Sequence, residues 1–313
     1  MIVSSSVPPN FKQANIITYL ATRFTYLSQE TWLDLVEQQR ITCNGVVCQS
    51  ATLVSQGDIV TCDLPDFAPP PVNLAYSIVY EDRWLLGINK PGGLRVHSQG
   101  KFVTANLIYH LRYEHEPPYA EARLVNRLDA DTSGVLLVAR DEETRRLLGQ
   151  QFAEQLVHKE YVAVVNGIPA KEEGTIDLPV GRAQGSKVKQ RQWVVEGNGG
   201  KTAVSHYQLI APLGSQHALL RLFPKSGRTH QLRVHLAAIG HPIVGDALYT
   251  MDDDTFLDWC QQRQPIPSMQ GITRQALHCQ LTRFTHPMTR QLCTIEAPLP
   301  DDMNQLIARL QAK

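Results

Sequence analysis

The stretch from Asn126 to Arg140, Asn-Arg-Leu-Asp-Ala-Asp-Thr-Ser-Gly-Val-Leu-Leu-Val-Ala-Arg, constrains the fold most, because it joins two environments that do not mix. Val135 to Ala139 is an unbroken apolar run with the length and branching of a buried strand, and Gly134 marks a tight turn into it. Ahead of it, Arg127, Asp129, Asp131, Thr132 and Ser133 crowd charges and hydroxyls into the feeding loop. Residue by residue, a solvated turn would account for Asp, Ser and Gly. Ionised groups beside a buried strand nevertheless need partners, so the chain must bring some to this loop.

The chain has 313 residues, 43% hydrophobic and 19% charged, enough for a sizeable core and more than one domain. Its 30 basic and 30 acidic side chains cancel, so whole-chain charge does not mark a nucleic-acid binder. Residues 1 to 76 carry three basic side chains (Lys12, Arg23, Arg40) against six acidic ones, which leaves the remainder positive. The six cysteines form no Cys-x-x-Cys pair, and a chain of this length needs no disulfide framework, so a reduced, cytoplasmic protein is expected. The first residues lack the basic region and apolar core of a signal peptide. No apolar run has the length of a membrane span, so no membrane partner is expected.

Residues 15–24 and 29–38 have helical spacing, with Ser28 as an N-cap, whereas the segment before them carries no clear pattern. Arg40 to Val47 reads as a hairpin turning at Asn44-Gly45, and residues 57–62 as a third strand. The proline-rich Asp66 to Asn73 is a linker, which divides the chain into a small module, 1–72, and a larger domain, 73–313. In the larger part, strands at 78–81 and 84–89 end in Asn89-Lys90-Pro91-Gly92-Gly93, turn chemistry in which Lys90 would ordinarily be solvated. Helices are expected at 104–113 and from Asp141, the latter burying Leu148, Phe152 and Leu156. A strand over His158 to Gly167 sets Tyr161, Ala163 and Val165 on one face. Residues 181–202, with Lys187, Lys189 and Arg191, read as an exposed basic hairpin or loop, suited to phosphate contact or simply solvated. Strands at 205–210 and 218–223 precede a helix with a Leu232, Leu236, Ile239 stripe, stopped by Gly240 and Pro242, and a short helix from Asp301 closes the chain. Strand-rich segments flanked by helices give an α+β class.

The central string resembles the active-site motif of the RluA-type pseudouridine synthases: His-Arg-Leu-Asp, two variable residues, Thr-Ser-Gly and an apolar strand. Asn126 stands where that family usually has His. Asn89 to Gly93, the strand bearing Tyr161, Lys225 to Pro242 and the tail from Leu277 to Pro300 also match, so the resemblance covers roughly 77 to 300. It implies a pseudouridine synthase fold, a central, mainly antiparallel mixed sheet flanked by helices with a cleft across its middle. It also implies isomerisation of uridine to pseudouridine in structured RNA, without a cofactor or metal. Asp129 would be the catalytic carboxylate, Arg233 the guanidinium that keeps it ionised, and Tyr161 the ring packed on the target base. Arg127 would fill the space left by the flipped base, and Arg228, Lys90, Lys187, Lys189 and Arg191 are candidate RNA contacts. The first module resembles a small RNA-binding unit shared with a ribosomal small-subunit protein, although Gln29, Glu30, Asp34 and Glu37 occupy its usual basic helix. Ribosomal RNA of the large subunit is the leading substrate, transfer RNA the runner-up, and a monomer is expected.

Other readings compete. His230 and His235 invite a zinc site but stand five apart with no accompanying Glu. Asp129 and Asp131 could be a glycosidase pair, although carboxylates so close in one loop seldom face each other across a sugar. A noncatalytic RNA-binding or ribosome-assembly protein would keep the fold without a working site.

Overall fold

The computed structural model describes residues 1–262 and 270–312. They form two compact units, Met1–Val72 with His97–His110, and Asn73–Val96 with Leu111–Lys313. The change of unit after Val72 falls in the proline linker. Assignment of 97–110 to the first unit is a long-range matter that a linear division of the sequence does not contain.

The first unit contains β1 (Ile2–Ser6), β2 (Ala14–Asn15), α1 (Ile16–Arg23), α2 (Gln29–Glu37), β3 (Ile41–Cys43), β4 (Val46–Val47), β5 (Leu53–Val54) and β6 (Ile59–Asp63). Ser28 caps α2 as expected, its hydroxyl accepting the Thr31 N–H at 3.1 Å. Asn44 and Gly45, at φ 51° and 81°, supply the two left-handed positions that a tight hairpin requires. Trp32, Tyr19, Leu20 and Ile41 are its buried centre. The segment before α1 is not patternless: β1 pairs residue for residue with β6 and edges a sheet of order β1-β6-β3-β4. Its Ile-Val-Ser-Ser-Ser sequence is a weak strand signal because most of its support comes from that partner. The helix expected over 104–113 is shorter at its start. Asn106 accepts the Tyr109 N–H and begins α3 (Leu107–Tyr109), which passes into a π-helical stretch, His110–Glu114.

The second unit continues with β7 (Ser77–Glu81), β8 (Leu85–Lys90), β9 (Arg123–Leu124), β10 (Ser133–Ala139), α4 (Glu142–Ala153) and β11 (His158–Asn166). After β12 (Glu173–Asp177) comes a hairpin, β13 (Val180–Arg182) with β14 (Gln192–Val194), then β15 (Val204–Leu213) and β16 (His217–Pro224). The remainder is α5 (Gln231–Ala238), α6 (Ala247–Thr250), α7 (Asp253–Gln262), β17 (Leu277–Thr285), β18 (Leu292–Glu296) and α8 (Asp301–Gln311). The main sheet runs β12-β15-β16-β11-β17-β10-β8-β7, with β18 added to β17 and β9 to β10. Among the described residues, only the β10–β17 pair of this sheet is parallel, so the sheet is mixed and mainly antiparallel, as expected.

Every residue of β10 is buried, which explains its unbroken apolar run. Gly134 takes φ 108°, and a Cβ there would lie 2.1 Å from the Cys279 carbonyl oxygen, so only glycine permits the approach of β10 to β17. Asp141 caps α4, but Leu156 is not on its buried face. The helix ends at Ala153, Gln155 takes φ 60°, and Leu156 is 64% exposed while Val157 is buried. A four-residue repeat cannot track a face past a left-handed residue.

Candidate active site

The loop ahead of β10 is held by a separate partner at each of four consecutive residues. Lys90 donates to the carbonyls of Ala130 (2.7 Å), Pro91 (2.8 Å) and Leu94 (3.0 Å). Arg274 donates to the Asp131 carbonyl at 3.0 Å while its other nitrogens form a fork with Asp302 of α8. Gln275 donates to the Thr132 hydroxyl at 2.8 Å. His278 gives its Nε2–H to the Ala297 carbonyl (3.1 Å), leaving Nδ1 to accept from the Ser133 hydroxyl (2.9 Å). Asn126, despite standing in place of His, keeps a structural bond: its side-chain oxygen accepts the Leu137 N–H at 3.0 Å.

Lys90 therefore corrects the expectation of a solvated turn lysine or an RNA contact. It is 0% exposed, and its three acceptors match the three protons of an ammonium. Burial pushes its pKa down to about 7 against the pull of the Asp131 and Asp129 charges. Its chain turns inward because the loop carbonyls would otherwise be buried without donors.

Asp129 lies at the mouth of this loop, its side chain 30% exposed. Arg233, from the buried face of α5, donates Nη1–H to Asp129 Oδ2 at 2.9 Å. Its Nε–H and Nη2–H form a fork on Asp246 at 2.6 and 2.8 Å. Asp246 is 1% exposed and was not singled out in the sequence, although a lone acid in the run Ile243-Val244-Gly245-Asp246-Ala247-Leu248 is a usable signal. A bidentate fork fixes the plane of the guanidinium, so Asp246 aims Arg233 at Asp129. Burial pushes the Asp129 carboxyl up, but the positive charges of His230 and Arg233 outweigh it and hold the group below the usual carboxylate range. His230 is itself held down to about 4, chiefly by burial, so near neutrality Arg233 is the permanent counter-charge.

Asp129, Arg127, Tyr161, Arg228 and Arg233 all line one cavity, whose volume of about 90 Å³ far exceeds the roughly 10–15 Å³ that one water needs on the same measure. Tyr161, on β11, is buried beside the Cys279 thiol. Burial, with that thiol, drives its hydroxyl well above its ordinary value, so it presents a neutral aromatic ring rather than a phenolate. Arg127 and Arg228 are exposed at the rim. Lys159 and His230 also line the cavity, and no local pattern in the sequence marks either for a place there.

The basic segment between β13 and β14 lies on the surface, with two of its cations paired. Lys187 meets Asp254 at 2.6 Å and Arg191 meets Asp253 at 2.9 Å, both acids on α7. Arg191 is moreover mostly buried, which corrects its reading as an exposed phosphate grip. Lys189 is exposed. The two histidines considered for zinc diverge: His230 bonds Tyr249, while both nitrogens of His235 are occupied by the Ser205 hydroxyl and the Leu178 carbonyl at 2.9 Å.

A profile of the RNA pseudouridylate synthase family matches residues 85–238, which include the Asp129–Ser133 loop, β11 and α5. An uncharacterised RNA pseudouridine synthase of Synechocystis is 33% identical over 305 residues, covering 94% of this chain and 88% of that protein. Ribosomal large subunit pseudouridine synthase D of Zymomonas mobilis is 32% identical over 302 residues, covering 93% and 92%. Among solved structures, human RNA pseudouridylate synthase domain containing 4 superposes with a TM-score of 0.58 at 25% identity, over 75% of this chain and 93% of that one. The chain belongs to the RNA pseudouridine synthase family and is an enzyme of that class, an isomerase, which removes the glycosidase and noncatalytic readings. Among the described residues, no helix is long and apolar enough to cross a membrane.

Proposed function

We propose that the protein isomerises uridine in ribosomal RNA of the large subunit, with Asp129 as the catalytic carboxylate. The observation that carries the assignment is the Asp246–Arg233–Asp129 chain, which keeps one carboxylate ionised in the cavity that Tyr161 also lines. Conversion to pseudouridine breaks the bond between ribose C1′ and uracil N1, turns the base and joins C1′ to C5, which loses its proton while N1 gains one from solvent. No oxidant or external energy source is consumed. Asp129 engages the nucleotide at this bond, Arg233 keeps the carboxylate charged, and Tyr161 packs against the extruded base. Arg127, at the rim, takes the space that the base vacates, and Arg228 contacts the backbone beside it. The large-subunit choice is favoured by the name of the Zymomonas relative and the length over which it matches.

Mapping pseudouridine in all cellular RNA with and without the gene tests the substrate. A site lost from large-subunit ribosomal RNA is expected. Loss confined to transfer RNA would overturn the ribosomal choice while leaving the chemistry in place.

A further inference from the structure

His230 immediately precedes α5 at φ 57°, a left-handed backbone that a histidine keeps only where its surroundings fix it. Its side chain is mostly buried and lines the cavity. Nδ1 lies 2.8 Å from the Tyr249 hydroxyl, and Nε2 lies 3.8 Å from Asp129 Oδ2. The Tyr249 hydroxyl also accepts the Gln192 N–H at 3.2 Å, and the tyrosine ring lies beneath the Arg233 guanidinium, 5.0 Å from ring centre to Cζ.

This geometry selects one tautomer. A hydroxyl that accepts from Gln192 still has one proton to donate, and His230 Nδ1 is the acceptor within reach. The imidazole proton then resides on Nε2, facing the cavity and Asp129. The opposite tautomer would point a lone pair at the carboxylate and deprive the buried Tyr249 proton of that acceptor. The ring stays neutral near pH 7: burial, then the Arg233 charge, hold it at about 4 despite Asp129 and Asp246.

We propose that His230 is a further catalytic residue, donating its Nε2–H to the uracil O2 oxygen as the glycosidic bond breaks, and that Tyr249 is the positioning residue that fixes this tautomer. Heterolysis leaves the electron pair of the C1′–N1 bond on the uracil, shared between N1 and the carbonyl oxygens. O2 is bound to the carbon next to N1, which puts it near the carbon that Asp129 engages. A donor at that place bonds more strongly as the charge grows, which lowers the barrier without tightening ground-state binding. No proton changes hands at His230, and the pair returns to carbon when C5 joins C1′. The inference rests on Asp129 as the catalytic carboxylate.

The test uses the full chain and total RNA from cells lacking the gene, labelled with tritium at uracil C5, because product formation releases that tritium. Under single-turnover conditions His230→Ala is expected to slow release by about 10²-fold, the scale for one lost donor to developing charge, with RNA affinity unchanged. His230→Gln, which can return an N–H, should recover part of the rate. Tyr249→Phe keeps the ring under Arg233 and removes only the hydroxyl. It should slow release less than His230→Ala and move the His230 nitrogen-15 signals away from the pure Nε2–H pattern of the wild type. A wild-type rate in His230→Ala, or an Nδ1–H ring in the wild-type protein, overturns the proposal. If His230→Ala does not fold, the Gln variant and the nitrogen-15 spectrum decide. Absence of tritium release by the wild type, or full release by Asp129→Asn, instead brings down the reading of the site on which the proposal depends.

Discussion

The loop Asp129–Ser133 and the segment between β13 and β14 both gather charges beside strands, and the fold treats them in opposite ways. The first is met from within: Lys90, Arg274, Gln275 and His278 each take one group of the loop, and Arg233 takes the Asp129 side chain. The second is met at the surface, with Lys187 in an exposed pair on Asp254, Arg191 in a more sheltered pair on Asp253, and Lys189 exposed. Buried partners fix geometry and shift protonation, because charges out of water are screened little. Exposed pairing mainly cancels charge and is weakened by salt. A basic composition is therefore a poor guide to which cations an RNA phosphate can reach.

The comparison breaks most severely at the centre of the loop. Asp129→Asn should lower single-turnover activity by at least about 10⁴-fold while RNA affinity stays within a few fold, since the carboxylate does chemistry rather than phosphate binding. The same variant tests the protonation argument. The folded-state pKa of Asp129 is depressed, so its charge contributes stability that is fully present above its ordinary value of 3.8 and is lost as pH falls through the lower folded value. The difference in unfolding free energy between wild type and Asp129→Asn, followed against pH, should be flat above that region and shrink below it.

Next in size is Arg233→Lys, which keeps a positive charge but cannot form the fork on Asp246. Loss of aim at Asp129 is expected to slow the reaction about 10²-fold. A wild-type rate would mean that charge alone suffices. Lys90→Met leaves the Ala130 carbonyl of the loop, with those of Pro91 and Leu94, without their buried donor and should cost on the order of 3 kcal/mol, measured by chemical denaturation. An unchanged midpoint would show that the loop does not depend on its internal cation.

The smallest effects belong to the surface segment. Lys189→Ala should reduce the slope of log affinity against log salt by up to about 0.9, one phosphate contact, whereas Arg191→Ala should leave it unchanged, since Asp253 already neutralises that charge. Equal slopes in both variants would erase the distinction between free and paired cations on this hairpin.

The sequence by itself determined what depends on near neighbours. The buried β10, the Ser28 and Asp141 caps, the Asn44-Gly45 turn and the stop of α5 at Gly240 are all local chemistry, readable within a few residues. The three separate matches that hold Asp129, Tyr161 and Arg233 were also legible, through their resemblance to the family's motifs. Tertiary structure alone decided where the remaining charges point. Lys90 reaches the Ala130 carbonyl from another strand, Asp246 meets Arg233 from beyond the end of α5, and Gln192 meets Tyr249 from a separate hairpin. β1 becomes a strand only against β6, far along the chain. These contacts were hidden for one reason: residue pattern reports which face is buried, whereas the partner of a buried polar group is chosen by which distant segment the topology lays beside it.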